Sequence, residues 1–142
     1  MAATFAPLTV ARVDQLTEDS VAVTFDVPGE LAGQYAFRAG QSLTLRRIVG
    51  GRDERRSYSI CAPIGGPPRI GVREVAGGAV SGWLVRDLRP GDVVDALPPA
   101  GLFTADVTVA ARHVLIAAGS GITPMMSIAA SVLAANPSST VT

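Results

Sequence analysis

The stretch Ser20-Val21-Ala22-Val23-Thr24-Phe25-Asp26-Val27 decides the fold class. Val21, Val23, Phe25 and Val27 alternate with Ala22, Thr24 and Asp26, the period of two that sends successive side chains to opposite faces of a β-strand. Pro28-Gly29 closes the run. Working outward, similar short runs at Leu8–Val13, Gln41–Ile48, Arg55–Ile60, Arg69–Val75 and Asp92–Leu97 predict five further strands. Turn signals such as Gly50-Gly51 and Pro90-Gly91 separate them. Short strands chopped by turns predict a mainly β architecture, a small six-stranded antiparallel barrel. Within this region Ser81–Leu88 is the one helical piece, with Trp83, Leu84 and Leu88 placed to cover one end of the barrel.

After Gly101 the texture changes. Val114–Ala118 is a continuous apolar run, as expected of a strand buried on both faces. A Gly-rich turn follows, and then Met125, Ile128, Ala129, Val132 and Leu133 recur at helical spacing until Asn136-Pro137 stops them. Val141 reads as the start of a second strand. The chain therefore divides into a barrel over 1–106 and the first strand–helix unit of an α/β domain over 107–142, an expected truncation. A strand made for the interior of a parallel sheet, with its neighbours missing, leaves an open edge. Self-association into a fragment-induced dimer, or mobility of 113–142, is expected from it.

Composition narrows the function. The chain has 142 residues, 48% of them apolar and 17% charged, enough for a packed core and unlike a disordered segment. Net charge is zero, so no global field draws the protein to nucleic acid or to an anionic membrane. All 12 basic residues are Arg, which excludes Lys chemistry such as a Schiff base or a P-loop. One Cys and one His exclude a disulfide framework and a zinc cluster, and no metal site is expected. The longest apolar stretch, Val114 to Ala135, is broken by Gly119, Ser120, Gly121 and Pro124, so no membrane span is expected. The first residues lack the basic and apolar regions of a signal peptide, and a lone thiol suits a reducing compartment; a cytoplasmic location is expected.

Three motifs carry chemistry. Arg56-Ser57-Tyr58-Ser59 lies at the end of a predicted strand, where an Arg fork can hold phosphate and a Tyr two residues along, on the same face, can stack on a flat ring. Ser59 offers a small hydroxyl beside that ring. Gly77-Gly78-Ala79-Val80-Ser81 opens the short helix, with Ser81 as predicted N-cap and free amides able to cradle an anion. Gly119-Ser120-Gly121-Ile122-Thr123-Pro124 sits between strand and helix, the context in which a glycine loop meets a pyrophosphate; Thr123 is the predicted cap and Pro124 the first helical residue. Taken singly, the first and third motifs are equally an ordinary strand end or turn, and the second is more readily a plain capped helix after a turn.

In this order the three motifs resemble the ferredoxin–NADP reductase superfamily. The connecting segments Phe37-Arg38-Ala39-Gly40-Gln41, Arg89-Pro90-Gly91-Asp92 and Pro99-Ala100-Gly101-Leu102-Phe103 resemble it too. Arg55–Cys61 and Ala117–Pro124 look most like the reductase subunits of phenylacetyl-CoA epoxidase (phenylacetate oxygenase) systems. The resemblance implies a Greek-key FAD-binding barrel followed by a nicotinamide-nucleotide domain. Arg56 would contact the FAD pyrophosphate, Ser57 would lie beside it, Tyr58 would stack on the isoalloxazine, and Ser59 would lie near flavin N5. Gly78, Ala79, Val80 and Ser81 would hold the pyrophosphate, with the main chain of Arg73, Glu74 and Val75 flanking the cofactor. Gly119, Ser120, Gly121, Thr123 and Pro124 would meet the NAD(P)H phosphates, Thr123 near the site of hydride transfer; Ser59 and Thr123 are thus the catalytic candidates.

The implied function is an NAD(P)H-dependent flavin oxidoreductase that passes electrons through a 2Fe–2S domain to an oxygenase partner in phenylacetate degradation. This chain is expected to be inactive alone. A reductase serving another oxygenase is the nearest alternative, and a non-catalytic flavin-binding or interaction module is one of a different class. Two departures stand out. Relatives often carry a basic residue where Glu74 stands, and one Cys cannot ligate a 2Fe–2S cluster, which would have to lie in a C-terminal part absent from this sequence.

Overall fold

The computed structural model describes residues 2–142; Met1, the start of the predicted 1–106 unit, lies outside them. Six strands form one antiparallel sheet: β1 (Ala6–Thr17), β2 (Ser20–Asp26), β3 (Ser42–Val49), β4 (Arg52–Ser59), β5 (Arg69–Arg73) and β6 (Val93–Ala96). Their order is β4-β3-β6-β1-β2-β5, so two hairpins flank a sixth strand returning between them, in Greek-key fashion. Each of the six strands predicted for the barrel is present. The β3–β4 hairpin turns on Gly50 and Gly51, with φ of +54° and +77° between the paired Val49 and Arg52. Two positive φ values in a two-residue loop suit the twist of the flanking strands, and only glycine accepts both cheaply. That turn starts β4 at Arg52, three residues before the predicted Arg55, because the charged run Arg52–Glu54 hides a strand whose partner fixes it.

The sheet curls until its two end strands meet at one point. Ile60, just past β4, bridges Ile70 of β5, and the Cys61 amide donates to the Arg69 carbonyl at 2.8 Å. Leu8, Val21, Val23, Phe25, Leu43, Leu45, Ile60 and Ile70 fill the interior with no exposed surface. Two short helices plug the barrel: α1 (Ala32–Tyr35), not foreseen from the sequence, and α2 (Ser81–Arg86). The Tyr35 hydroxyl donates to the Ala96 carbonyl at 2.7 Å, and Leu84 and Leu88 are buried under α2 as expected.

The final segment departs from expectation in detail. Only Arg112–His113 is strand (β7), paired in parallel with Thr140–Val141 (β8), and Val114–Ala118 is not a buried strand. Val114 and Ile116 are 65% and 85% exposed, while the alternate Leu115 packs inward, because the segment has cover on one face only. Helix α3 runs over Ile122–Ala135 and stops at Asn136. Its buried stripe is Ser127, Ile128, Ser131 and Val132, whereas Met126 and Leu133 face outward. The Ser127 hydroxyl donates to the Ala62 carbonyl at 2.6 Å, and the Ser131 hydroxyl accepts the Ile64 amide at 3.0 Å. Those two serines tie α3 to the barrel, a docking that the apolar spacing alone did not reveal. No helix among the described residues is long and apolar enough to cross a membrane.

Candidate functional site

Pairing register places the first motif. Leu43 faces Tyr58, Leu45 faces Arg56 and Arg47 faces Glu54, and residues opposed across antiparallel strands share a face. Arg56 and Tyr58 therefore lie on the inner face of the sheet with Leu43 and Leu45, and Arg47 continues that face on β3. Tyr58 is half-buried against the barrel core, and this burial holds its phenol above the usual tyrosine range, though the nearby Arg56 opposes the shift. Arg56 remains half exposed; it donates to the Arg55 carbonyl at 2.6 Å and lies 3.4 Å from the Glu54 carboxylate.

Ser57 and Ser59 belong to the other face, where the Ser57 hydroxyl meets that of Thr44 at 2.7 Å. Their main chain is the relevant part. Ser42 exchanges hydrogen bonds with Ala100, and the Thr44 carbonyl accepts the Leu97 amide, so both β3 residues point their peptide groups away from β4. Ser57 and Ser59, opposite them, accordingly turn their own N–H and C=O groups away from β3. These groups line a sheet edge that is free from Asp53 to the Ser59 amide and ends where Ile60 bridges Ile70 of β5.

The second motif stands at the same opening. The Gly78 amide donates to the Val75 carbonyl at 2.8 Å across a turn in which Gly77 has φ +71°. A Cβ on Gly78 would lie 2.4 Å from the Ser81 hydroxyl and 2.9 Å from the Val75 carbonyl oxygen, so glycine is required there. Ser81 does not cap the helix as predicted. It is the first residue of α2, buried, and its hydroxyl accepts the Val75 amide at 3.0 Å, closing the turn from inside. The amides of Ala79, Val80 and Ser81 find no backbone acceptor among the described residues. A cavity of about 290 Å³ opens here, lined by Arg47, Glu74, Gly77, Gly78, Ala79 and Trp83 among others. Glu74 points its carboxylate at this cavity but is ion-paired with Arg86, whose guanidinium it holds above the ordinary range.

Sequence reasoning missed Arg47. It donates to the Ala79 carbonyl at 2.8 Å and its guanidinium lies 4.8 Å from the centre of the Trp83 ring, so it joins the Arg56–Tyr58 face to the Gly77–Ser81 turn. The alternation Leu43, Leu45, Arg47 was the available signal: a charge at the third inward position of a barrel strand needs a partner or a ligand.

The third motif sits on the opposite side of β5. A Cβ on Gly71 would come within 3.0 Å of the Thr123 methyl, so the 119–123 turn rests against this strand. Gly119, Ser120 and Thr123 line a cleft of about 310 Å³ with Leu16, Gly71 and Arg73. Thr123 donates to the Ser120 carbonyl at 2.9 Å, but α3 starts at Ile122, so Thr123 is not its cap and Pro124 is the third helical residue, not the first. Proline is tolerated there because first-turn amides have no intrahelical acceptor. Arg73 pairs with Asp19 at 2.7 Å; the Thr17 hydroxyl, and then Arg73, hold the Asp19 carboxyl below its usual range. Glu74 donates its amide to the Asp19 carbonyl at 2.7 Å, and Val75 is exposed. No hydrogen bond among the described residues links the 119–123 turn to Arg56–Ser59.

A free edge of peptide groups, an aromatic face, two inward arginines and a glycine turn with open amides can together hold a flat ring and a phosphorylated arm. Known proteins agree. The chain is 40% identical over 139 residues, 96% of its length, to a component of 1,2-phenylacetyl-CoA epoxidase from Escherichia coli K12, and spans 39% of that relative. It is 38% identical over 89% of its length to the ferredoxin reductase component of 3-ketosteroid-9-alpha-monooxygenase from Rhodococcus rhodochrous, spanning 36% of it. Among solved structures, an Amycolatopsis cytochrome P450 reductase superposes with a TM-score of 0.76 at 30% identity, covering 99% of this chain and 43% of that one. Phthalate dioxygenase reductase, described as transferring electrons from pyridine nucleotides to [2Fe–2S], gives a TM-score of 0.76 at 28% identity, covering 96% and 42%. The family model for the oxidoreductase FAD-binding domain matches residues 7–104, which are the barrel and its plugging helices. By that match, over more than half of its length, the chain belongs to the oxidoreductase FAD-binding domain family.

Proposed function

We propose that this chain is the flavin-binding part of an NAD(P)H-dependent reductase component that delivers electrons to an oxygenase, in a phenylacetate-degrading system. The observation that carries the reading is the placement of Arg56 and Tyr58 on one inward face, at a free sheet edge, with Arg47 of the same face hydrogen-bonded to Ala79 in the Gly77–Ser81 turn. These residues fit FAD: Tyr58 gives a half-buried face for the isoalloxazine, Arg56 a phosphate fork, and Gly78 a turn whose space a Cβ would fill. Ala79, Val80 and Ser81 would supply amides to the pyrophosphate, and the main chain of Arg73, Glu74 and Val75 would border the cofactor on the β5 side. Bound FAD would supply the redox chemistry, taking two electrons from a nicotinamide coenzyme and releasing them singly. Ser57 and Ser59 turn main-chain donors and acceptors toward the ring edge and so orient it, Ser59 beside the reacting position. Gly119, Ser120, Gly121, Thr123 and Pro124 are assigned to the coenzyme phosphates, with Thr123 against Gly71 marking where that coenzyme approaches.

The division into a barrel over 1–106 and the start of a nucleotide domain over 107–142 belongs to the same proposal, as does a cytoplasmic setting. The pathway is favoured by the epoxidase relative, and the ketosteroid monooxygenase relative keeps a reductase for another oxygenase as the second reading. A 2Fe–2S cluster would be carried outside this sequence. The test is titration with FAD, read by flavin fluorescence quenching and by thermal shift, followed by NAD(P)H oxidation with an artificial acceptor. Binding with a rise in melting temperature is expected, with little turnover from this chain alone. Absence of both quenching and shift at saturating FAD would refute the assignment, and turnover at an ordinary enzymatic rate would refute the expected inactivity.

A further inference from the structure

Arg47 has no place in any of the three motifs, yet the structure puts it where the far end of a flavin nucleotide would lie. Along the inward face the levels run Tyr58–Leu43, Arg56–Leu45, Glu54–Arg47. At roughly 3.3 Å per residue, Arg56 stands about 7 Å and Arg47 about 13 Å from the Tyr58 level. The ribityl phosphate of a flavin nucleotide bridges the shorter span, whereas only an adenylate half extends to the longer. Arg47 spends one donor on the Ala79 carbonyl and rests its face on Trp83, which fixes the fork at the mouth of the 290 Å³ cavity with its other N–H groups unassigned. Of the acidic neighbours, Glu74 is paired with Arg86 and Glu54 lies 3.4 Å from Arg56, while Asp87 lines the same cavity without an ion pair among the described residues.

We propose that Arg47 is the residue that selects the dinucleotide, binding the phosphate on the adenylate side of FAD while Arg56 holds the flavin-side phosphate, so that the site prefers FAD to FMN. This rests on the flavin reading above. Binding of riboflavin, FMN and FAD to the wild-type chain, to Arg47→Met and to Arg56→Ala, read by fluorescence quenching, tests it. Arg47→Met keeps an unbranched stem against Trp83 and removes the charge. It should weaken FAD by roughly 10- to 100-fold, the loss of one charge-assisted contact, and change FMN and riboflavin by less than about threefold. Arg56→Ala should weaken FMN and FAD alike. Equal losses for all three ligands in Arg47→Met, or no loss of FAD, would overturn the proposal. Should Arg47→Met fail to fold, Arg47→Gln removes the charge while keeping a polar stem, and an unchanged FAD-to-FMN preference there would count equally against it. A wild-type chain that binds none of the three would instead fail the flavin reading itself, and this proposal with it.

Discussion

Gly40 and Gly33 form a matched pair of test positions. Gly40 has φ +103° and a Cβ there would sit 2.0 Å from the Phe103 carbonyl oxygen, so the 38–41 and 99–103 connections touch through a glycine. Gly40→Ala should cost more than about 2 kcal/mol, from the left-handed backbone and the clash together. Gly33, in α1, has open space around it, and Gly33→Ala should stabilise by about 0.4–1 kcal/mol. Chemical denaturation of the two variants checks both signs. At Tyr58, half-burial disfavours the phenolate, so the folded pKa lies above the unfolded value of about 10. The unfolded chain then loses its proton first, and the stability Tyr58 contributes is intact below pH 10 and drains away as pH rises through the folded pKa. Melting temperatures at pH 8 and 11 should therefore fall less in Tyr58→Phe than in wild type. In the proposed site, Arg56→Ala should weaken FAD binding by about 1.5–3 kcal/mol, and Arg69→Ala by less, since Arg69 is committed to Asp14 at 2.9 Å. Residue placements of this kind were legible where a side chain follows a strand pleat, as with Arg56 and Tyr58 on one face. They were illegible for Ser81, whose hydroxyl turns back to Val75 instead of capping its helix, because a serine before a helix serves either end equally well.

Helix α3 shows what periodicity can and cannot say about an element. The 3.6-residue recurrence found the helix, but ranked Leu133 with the core and passed over Ser127 and Ser131. Both serines are buried because they satisfy backbone groups of the 62–64 loop, a demand that exists only once the barrel has formed. Ser127→Ala should strand the Ala62 carbonyl and cost about 1–3 kcal/mol, with faster amide exchange confined to α3 and that loop. Leu133→Ala, on an exposed position, should change stability by less than about 1 kcal/mol. The strands were easier to read, since inward Val, Leu, Ile and Phe alternate with polar neighbours and turns fall at glycine or proline. Val114–Ala118 failed for the opposite reason: an unbroken apolar run announces burial without naming its cover, and only Leu115 finds any.

Two apolar clusters of unequal size set how the whole molecule comes apart. The larger runs from Leu8 to Ala96 and gathers every barrel strand, whereas the smaller has Ala39, Ile128 and Val132 at its centre. Native-state hydrogen exchange should therefore find α3 opening at a lower free energy than β1 and β2, which exchange only with global unfolding. Equal protection in the two regions would mean that the serine ties couple them more tightly than their apolar contacts imply. One consequence of the free β4 edge reaches beyond ligand binding. Its sequence, Arg52-Asp53-Glu54-Arg55-Arg56, is a run of mixed charge, and another chain adding as a strand would have to bring those guanidinium and carboxylate groups into register with its own. Protein without the proposed flavin would thus keep its exposed peptide groups without inviting a copy of itself to bond there. Charge at this margin would let one edge stay open for the proposed flavin while resisting pairing with another strand.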